Sequence, residues 1–194
     1  MKADKILTLV AAVSRMVERT PLSEADALAQ AGTLMGELVA QDDWLPEALA
    51  VPHPHYYRQY LLYGDPLDRF SLVSFVWGPG QQTPVHDHTV WGVIGMLRGA
   101  ERDQPFALTG AGLRPAGAAR VLKPGDVARV SPAVGDIHQV SNAFSDQVSI
   151  SVHLYGGNIG RIQRHVYDAA TGAAKPFVSG YSNSMLPNLW AAPE

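Results

Sequence analysis

The sequence predicts a mainly β chain with a helical N-terminal cap, its strands closing into an antiparallel barrel. Two observations carry this. The hydrophobic period changes from helical to two-residue near residue 56, and short runs rich in β-branched and aromatic residues then recur between turn signals. At 194 residues the chain has the length of one domain. It is therefore read as a single domain over 1–194, with a helical cap at 1–50, a barrel at 56–170 and a C-terminal tail at 171–194. With 46% hydrophobic and 17% charged residues, it can bury a core and is not a disordered chain.

In the cap, Ile6, Leu9, Val10, Val13, Met16 and Val17 recur at three- and four-residue steps and share a helix face. Thr20-Pro21-Leu22-Ser23 breaks the pattern. Ser23 is placed to cap a second helix, with Glu24 and Asp26 in the first turn, where the helix dipole favours acids. That helix runs to about Val39, with Leu28, Ala31, Leu34, Met35 and Leu38 facing inward. Asp42, Asp43 and Pro46 suggest a short third helix through Leu49. Strands are expected at 58–63, 70–77, 90–97, 119–122, 127–130, 148–155 and 164–167. Turns such as Gly64-Asp65-Pro66, Gly78-Pro79-Gly80, Lys123-Pro124-Gly125-Asp126 and Gly156-Gly157-Asn158 separate them. The stretch 110–119 reads as a loose Gly/Ala/Pro loop.

Composition removes several classes of function. The net charge is −3 and no basic stretch exceeds two residues, which argues against a nucleic-acid surface. There is no cysteine, so disulfides, thiolate metal sites and a cysteine nucleophile are excluded. No apolar run approaches the roughly 20 residues that span a bilayer. The short apolar stretch from Ile6 to Val13 fits a helix face better than a signal peptide, so the default location is the cytoplasm. No feature of the sequence sets an oligomeric state.

Any metal must then be held by His, Asp, Glu or backbone oxygen, and the chain has seven histidines. His86 and His88 are two apart, so on an extended strand both imidazoles share a face and can converge on one ion, while Asp87 points away. His53-Pro54-His55 offers the same spacing, but its prolines argue for an irregular loop. The first pair sits in the frame Gly-x5-His-x-His-x3-Gly-x6-Gly, running from Gly80 to Gly99. This resembles the first motif of the cupin superfamily, with Gly92 where that motif usually has Glu. The segment from Pro132 through Gly135 and His138 to Asn142 resembles the second cupin motif, with one extra residue after Pro132. The resemblance implies a cupin-type antiparallel barrel (jelly roll). It also implies a metal site of His86, His88 and His138 with no carboxylate. Three neutral ligands leave the charge of a divalent ion uncompensated and favour an anionic substrate.

Ser151, His153 and Tyr155 alternate with Ile150, Val152 and Leu154, so one face of this strand is polar and the other apolar. If the apolar face meets a core outside the barrel, the polar face points inward and needs hydrogen-bond partners or a chemical task. No acid near His153 in sequence and no nucleophile elbow support a hydrolytic Ser-His pair. With the two barrel motifs and Gly92, Ser151-Val152-His153-Leu154-Tyr155 resembles the thiol dioxygenases of the cysteine dioxygenase type I family over about 56–170. The resemblance implies one ferrous ion per chain on His86, His88 and His138, and a catalytic relay of Ser151, His153 and Tyr155. It further implies transfer of both atoms of O2 to the sulfur of a small thiol, giving a sulfinate.

Two departures from the animal enzymes stand out. Those enzymes carry a cysteine near the position of Gly92, crosslinked to the active-site tyrosine; with no cysteine here, Tyr155 is unmodified. They also use an arginine on the strand before the first motif, where this chain reads Tyr57-Arg58-Gln59-Tyr60. Adjacent residues face opposite sides of a strand, so only Arg58 or Gln59 points into the barrel. The resemblance to a bacterial subgroup favouring 3-mercaptopropionate points to Gln59. In that subgroup an arginine beyond the Ser-His-Tyr strand takes the substrate carboxylate, which Arg164 matches best, with Arg161 in reserve. Cysteine, 3-mercaptopropionate, cysteamine and mercaptosuccinate are the candidate thiols. The rival readings are a non-catalytic cupin that binds a small acid or sugar and another metal-dependent cupin oxygenase. Trp77 and Trp91 are expected in the barrel core and His165 as a structural residue.

Overall fold

The computed structural model describes residues 2–110 and 112–190. The ends of the expected cap and tail, Met1 and residues 191–194, lie outside the described residues. Two helices come first: α1 (Lys2–Val17) and α2 (Glu24–Val39). Ser23 caps α2, its hydroxyl accepting from the Asp26 amide at 3.0 Å, as the sequence predicts. The short third helix is one 3-10 turn, Glu47–Leu49.

The remainder is strand: β1 (Arg58–Gly64), β2 (Ser71–Trp77), β3 (Val85–His86), β4 (Gly92–Arg98), β5 (Glu101–Thr109), β6 (Gly112–Pro115), β7 (Arg120–Leu122), β8 (Val127–Val130), β9 (His138–Asn142), β10 (Ser149–Tyr155), β11 (Arg164–Tyr167) and β12 (Ala174–Phe177). One sheet has the order β1-β2-β10-β4-β8. The other runs β12-β11-β3-β9-β5-β6, with β7 also paired to β5. The pairings are antiparallel. The expected fold class, mainly β with antiparallel sheets and N-terminal helices, is the one the chain adopts.

Both helices lie on one face of the first sheet. Ile6, Leu9, Val13, Met35 and Leu38 join Leu72, Val76, Val93, Leu97, Ile150, Val152 and Leu154 in one apolar cluster. The approach is close at Gly95, where a β-carbon would stand 2.7 Å from the Met35 sulfur. The central strands β2 and β10 are consequently buried on both faces along their whole length. This settles parity: with Val152 under the helices, Ser151, His153 and Tyr155 must face the other sheet. A second apolar cluster, including Val73, Phe75, Trp77 and Val140, fills the space between the sheets around Tyr155.

Some elements differ from expectation. β6 occupies part of the stretch read as a loose loop. Its only buried side chain is Leu113, so its strand state comes from pairing with β5 rather than from its own composition. β12 lies in the segment expected as a tail and pairs with β11; its proline sits on a sheet edge, where a missing N–H is tolerated. The 179–183 segment then returns along β1. Gln59 N–H donates to Ser182 Oγ at 3.0 Å, and Asn183 bridges both backbone groups of Leu61.

Candidate metal centre

His86 ends β3 and His138 opens β9, directly opposite it in register. Their ring centroids are 4.8 Å apart. His88 lies past the end of β3, yet its ring stands 4.9 Å from both. One ring nitrogen from each of the three lies within 4.8 Å of the others, and the cluster contains no carboxylate.

A hydrogen bond at Nδ1 sets each ring. His86 Nδ1 faces the Pro84 carbonyl at 3.1 Å, His88 Nδ1 faces Asp136 Oδ1 at 3.1 Å, and His138 Nδ1 faces Asp103 Oδ1 at 2.9 Å. Each partner is an acceptor, so each Nδ1 carries a proton, which in a neutral ring leaves the Nε2 lone pair free for a metal. The Nε2 atoms of His88 and His138 are buried without any protein partner. Burial, reinforced by the neighbouring imidazoles, holds the pKa of His86 and His88 well below the usual histidine value. Three imidazoles whose ring nitrogens converge, with no carboxylate among them, fit a divalent metal ion.

Asp136 does more than orient one ring. It also accepts from the backbone N–H of His88 at 3.0 Å and of Thr89 at 2.9 Å. Thr89 has φ +61°, a region costly for a β-branched residue, and these bonds hold the turn that swings His88 inward. On Asp103, burial acts upward but is outweighed by hydrogen bonds from His138 and Arg120, so its pKa is lowered and it stays ionised. Neither carboxylate belongs to the residues that spacing or motif singles out. The available signals were Asp136 two residues before His138, and Asp103 two residues after Glu101 on an alternating strand.

The Ser-His-Tyr face of β10 is continuous. Ser151 Oγ lies 2.9 Å from His153 Nε2, and His153 Nδ1 lies 2.7 Å from the Tyr155 hydroxyl. Phe75 stacks on His153 with centroids 4.2 Å apart. Trp77 is not simply barrel core as expected: its Nε1 donates to Ser151 Oγ at 3.1 Å and its ring lines the cavity. Trp91 packs against the outer cluster instead. Burial pushes the Tyr155 phenol up and His153 well down, so both are neutral at physiological pH.

His86, His138, His153 and Tyr155 line a chamber of about 30 Å3, together with Gln59 and Arg164. A wider vestibule of about 420 Å3 adjoins it through Tyr57, Gln59, Phe177 and Ser179. Arg164 opens β11 two residues before Val166, the partner of His86, and so shares its face. It is only 5% exposed, donates from Nη2 to Ser179 Oγ at 2.7 Å, and lies 4.5 Å over the Phe177 ring. Its Nε is buried without a partner. Gln59 lines the chamber, with its amide nitrogen donating to the Gly180 carbonyl at 2.5 Å. Arg58 instead lies over the Tyr56 ring, away from the chamber. Arg161 is on the surface, paired with Asp68 at 3.0 Å. His165 donates its backbone N–H to Asp87 and turns its ring to the same carboxylate. His53 and His55 stand outside the metal-capable cluster.

The family model described as cysteine dioxygenase type I matches residues 22–168. The chain is 29% identical to cysteine dioxygenase type 1 of Danio rerio over 92 residues, 45% of each chain. It is 28% identical to that of Homo sapiens over 107 residues, 54% of this chain and 52% of the human one. The chain thus spans about half the length of the curated relatives it matches. Among solved structures, a Klebsiella pneumoniae protein with a double-stranded β-helix domain aligns at 20% identity and TM-score 0.46, covering 58% of this chain and 87% of that one. Among the described residues, no helix is long and apolar enough to cross a membrane.

Proposed function

Because the chain belongs to the cysteine dioxygenase type I family, we propose that it is an iron-dependent thiol dioxygenase. It adds both oxygen atoms of O2 to the sulfur of a small thiol carboxylate, preferring 3-mercaptopropionate to cysteine. His86, His88 and His138 would hold the iron through Nε2. Ferrous iron would supply a redox-active centre where thiolate sulfur and O2 meet. The sulfur gives up four electrons and O2 accepts them, so no external reductant is required.

The observation that carries the substrate assignment is Arg164. Among the described residues it is the only lysine or arginine lining the chamber. Burial lowers its pKa, but a guanidinium remains charged, and its unpartnered Nε offers a donor to an incoming carboxylate. Gln59 in place of a second cation suits a substrate with one carboxylate and no fixed amine site. Tyr155, neutral and anchored by His153, can offer its hydroxyl to the substrate or to O2. Phe75 and Trp77 line the chamber beside this relay. A non-catalytic binder of small acids has no use for such a relay, which supports the enzymatic reading.

The test is oxygen uptake and sulfinate formation by iron-loaded protein over the four candidate thiols. Turnover fastest with 3-mercaptopropionate is expected; no thiol-dependent uptake with any of them refutes the proposal. Losing a charge-assisted hydrogen bond costs about 1.5–3 kcal/mol, so Arg164→Met should raise KM for 3-mercaptopropionate roughly 10- to 150-fold. KM for cysteamine, which lacks a carboxylate, should not follow. Equal increases for both would remove Arg164 from carboxylate recognition.

A further inference from the structure

β5 begins with a residue that the dioxygenase reading does not use. Glu101 is 0% exposed, and neither carboxyl oxygen has a partner with hydrogen-bond geometry. No other carboxylate among the described residues is buried in this way with both oxygens unpaired. A buried, unpaired carboxylate is costly, and a fold that keeps one has a use for it or holds it protonated. The Ser151 hydroxyl is the polar group that approaches it, at the inner end of the chain of contacts leading to Tyr155.

We propose that Glu101 is the proton-holding terminus of a four-member relay, Glu101–Ser151–His153–Tyr155, and that its protonation sets the direction in which the relay's hydrogen bonds run. The chain of hydroxyl and ring groups can run in either of two directions. Ser151 has one hydrogen to donate and two lone pairs. Trp77 Nε1 occupies one lone pair in both states.

With Glu101 protonated, its O–H donates to Ser151, Ser151 donates to His153 Nε2, and His153 Nδ1–H donates to the Tyr155 oxygen. The Tyr155 hydrogen then faces the chamber. With Glu101 ionised, every bond reverses: Tyr155 donates to His153 Nδ1, His153 Nε2–H to Ser151, and Ser151 to the carboxylate. Moving each proton one bond along the chain converts the first state into the second. It breaks the Glu101 O–H bond and delivers one proton to the chamber through Tyr155. In the reverse direction, a thiol proton entering at Tyr155 ends on Glu101 and leaves a thiolate. His153 exchanges one neutral tautomer for the other and never becomes an imidazolium, consistent with the burial that keeps it neutral. Glu101 is thus a positioning residue and proton store that acts through Tyr155; its role in oxidising a thiol rests on the function proposed above.

The surroundings suit such a store. Burial pushes the Glu101 pKa to about 7; the Ser151 hydroxyl draws it down, and the Asp103 charge on the same strand pushes it up. Asp103 is itself bound by His138 of β9 and Arg120 of β7. β10 contributes Ser151 and, behind it, His153 and Tyr155, while Met96 of β4 stands opposite Ser151 and carries no charge. Next to Glu101 in register are Leu122 and Asn142, neither titratable.

The test is 15N NMR of the histidine side chains in the full chain loaded with Zn2+, a diamagnetic probe that needs no turnover. His153 should be mainly the Nδ1–H tautomer at pH 6 and mainly Nε2–H at pH 8, with a midpoint near pH 7. Glu101→Gln, which cannot ionise, should abolish this switch. A His153 tautomer that does not change over that range in the unmodified chain overturns the proposal without any variant. So does a switch that persists unchanged in Glu101→Gln. If the tautomer switches but no thiol drives oxygen uptake, the relay stands and the dioxygenase assignment fails. If both hold, the pH dependence of kcat/KM should lose its limb near neutrality in Glu101→Gln.

Discussion

Gly92 stands where the motif it resembles usually has Glu, and the structure gives its substitution a measurable cost. A β-carbon added there would lie 2.8 Å from Tyr155 Cδ1, 3.0 Å from Cε1 and 3.2 Å from a Val130 methyl. Ordinary contact begins at 3.4 Å, so the ring must retreat by about 0.6 Å. It cannot do so freely, because the Tyr155 hydroxyl is held at 2.7 Å from His153 and the ring stacks on His88. The backbone at Gly92 is not in the left-handed region, so the penalty comes from the contact alone. Overpacking or an opened buried hydrogen bond each costs roughly 1–3 kcal/mol. Gly92→Ala should therefore lose about 2 kcal/mol, or roughly 4–8 °C in Tm for a chain of this size. Thermal and denaturant unfolding of a double-mutant cycle with Tyr155→Phe checks the mechanism. Without the hydroxyl the ring can move, so the glycine substitution should cost about 1 kcal/mol less in that background. An identical loss in both backgrounds, or none in either, refutes the argument that the anchored ring is what the missing side chain accommodates.

Other expectations follow from the same geometry. Asp103→Asn removes the ionised acceptor behind His138 and should weaken metal binding roughly 10- to 100-fold, measured by competition with a chelator; unchanged affinity would count against Asp103 as an orienting group. Tyr155→Phe should keep its metal while kcat falls roughly 10- to 150-fold, the value of one charge-assisted hydrogen bond; metal loss instead would make Tyr155 part of the ligand scaffold. The Asp65 carboxylate accepts from Arg69 Nε at 2.8 Å and Nη2 at 2.7 Å, and the Arg69 hydrogen bond holds its pKa below the usual value. A depressed folded-state pKa contributes stability that is present above the unfolded-state value and lost as pH falls through the folded one. Urea unfolding as a function of pH should then fall less steeply on acidification in Asp65→Asn than in the parent; parallel curves would contradict this.

Local periodicity alone determined much of this protein. The change from a helical to a two-residue repeat placed the cap and most strands, and Ser23 announced its helix through capping chemistry that needs no tertiary partner. The alternation in 150–155 put Ser151, His153 and Tyr155 on one face, because side-chain parity is a property of the strand itself. The pairing of His86 with His88 was legible in the same way, although His88 reaches the centre from a turn held by Asp136, not from a strand.

Tertiary structure decided which face is inside. Arg58 and Gln59 have equal local claims, and only the covering of the first sheet by α1 and α2, with 179–183 packed along β1, sends Gln59 into the chamber and Arg58 out. Asp136 and Asp103 lie 48 and 35 residues from the histidines they orient, and Glu101 is 50 residues from Ser151, separations over which no periodic signal survives. β6 and β12 are strands because a neighbour offers an edge to pair with, whereas their compositions would suit loops. Backbone repeats are written locally, but a buried carboxylate gains its meaning only from what the folded chain sets beside it.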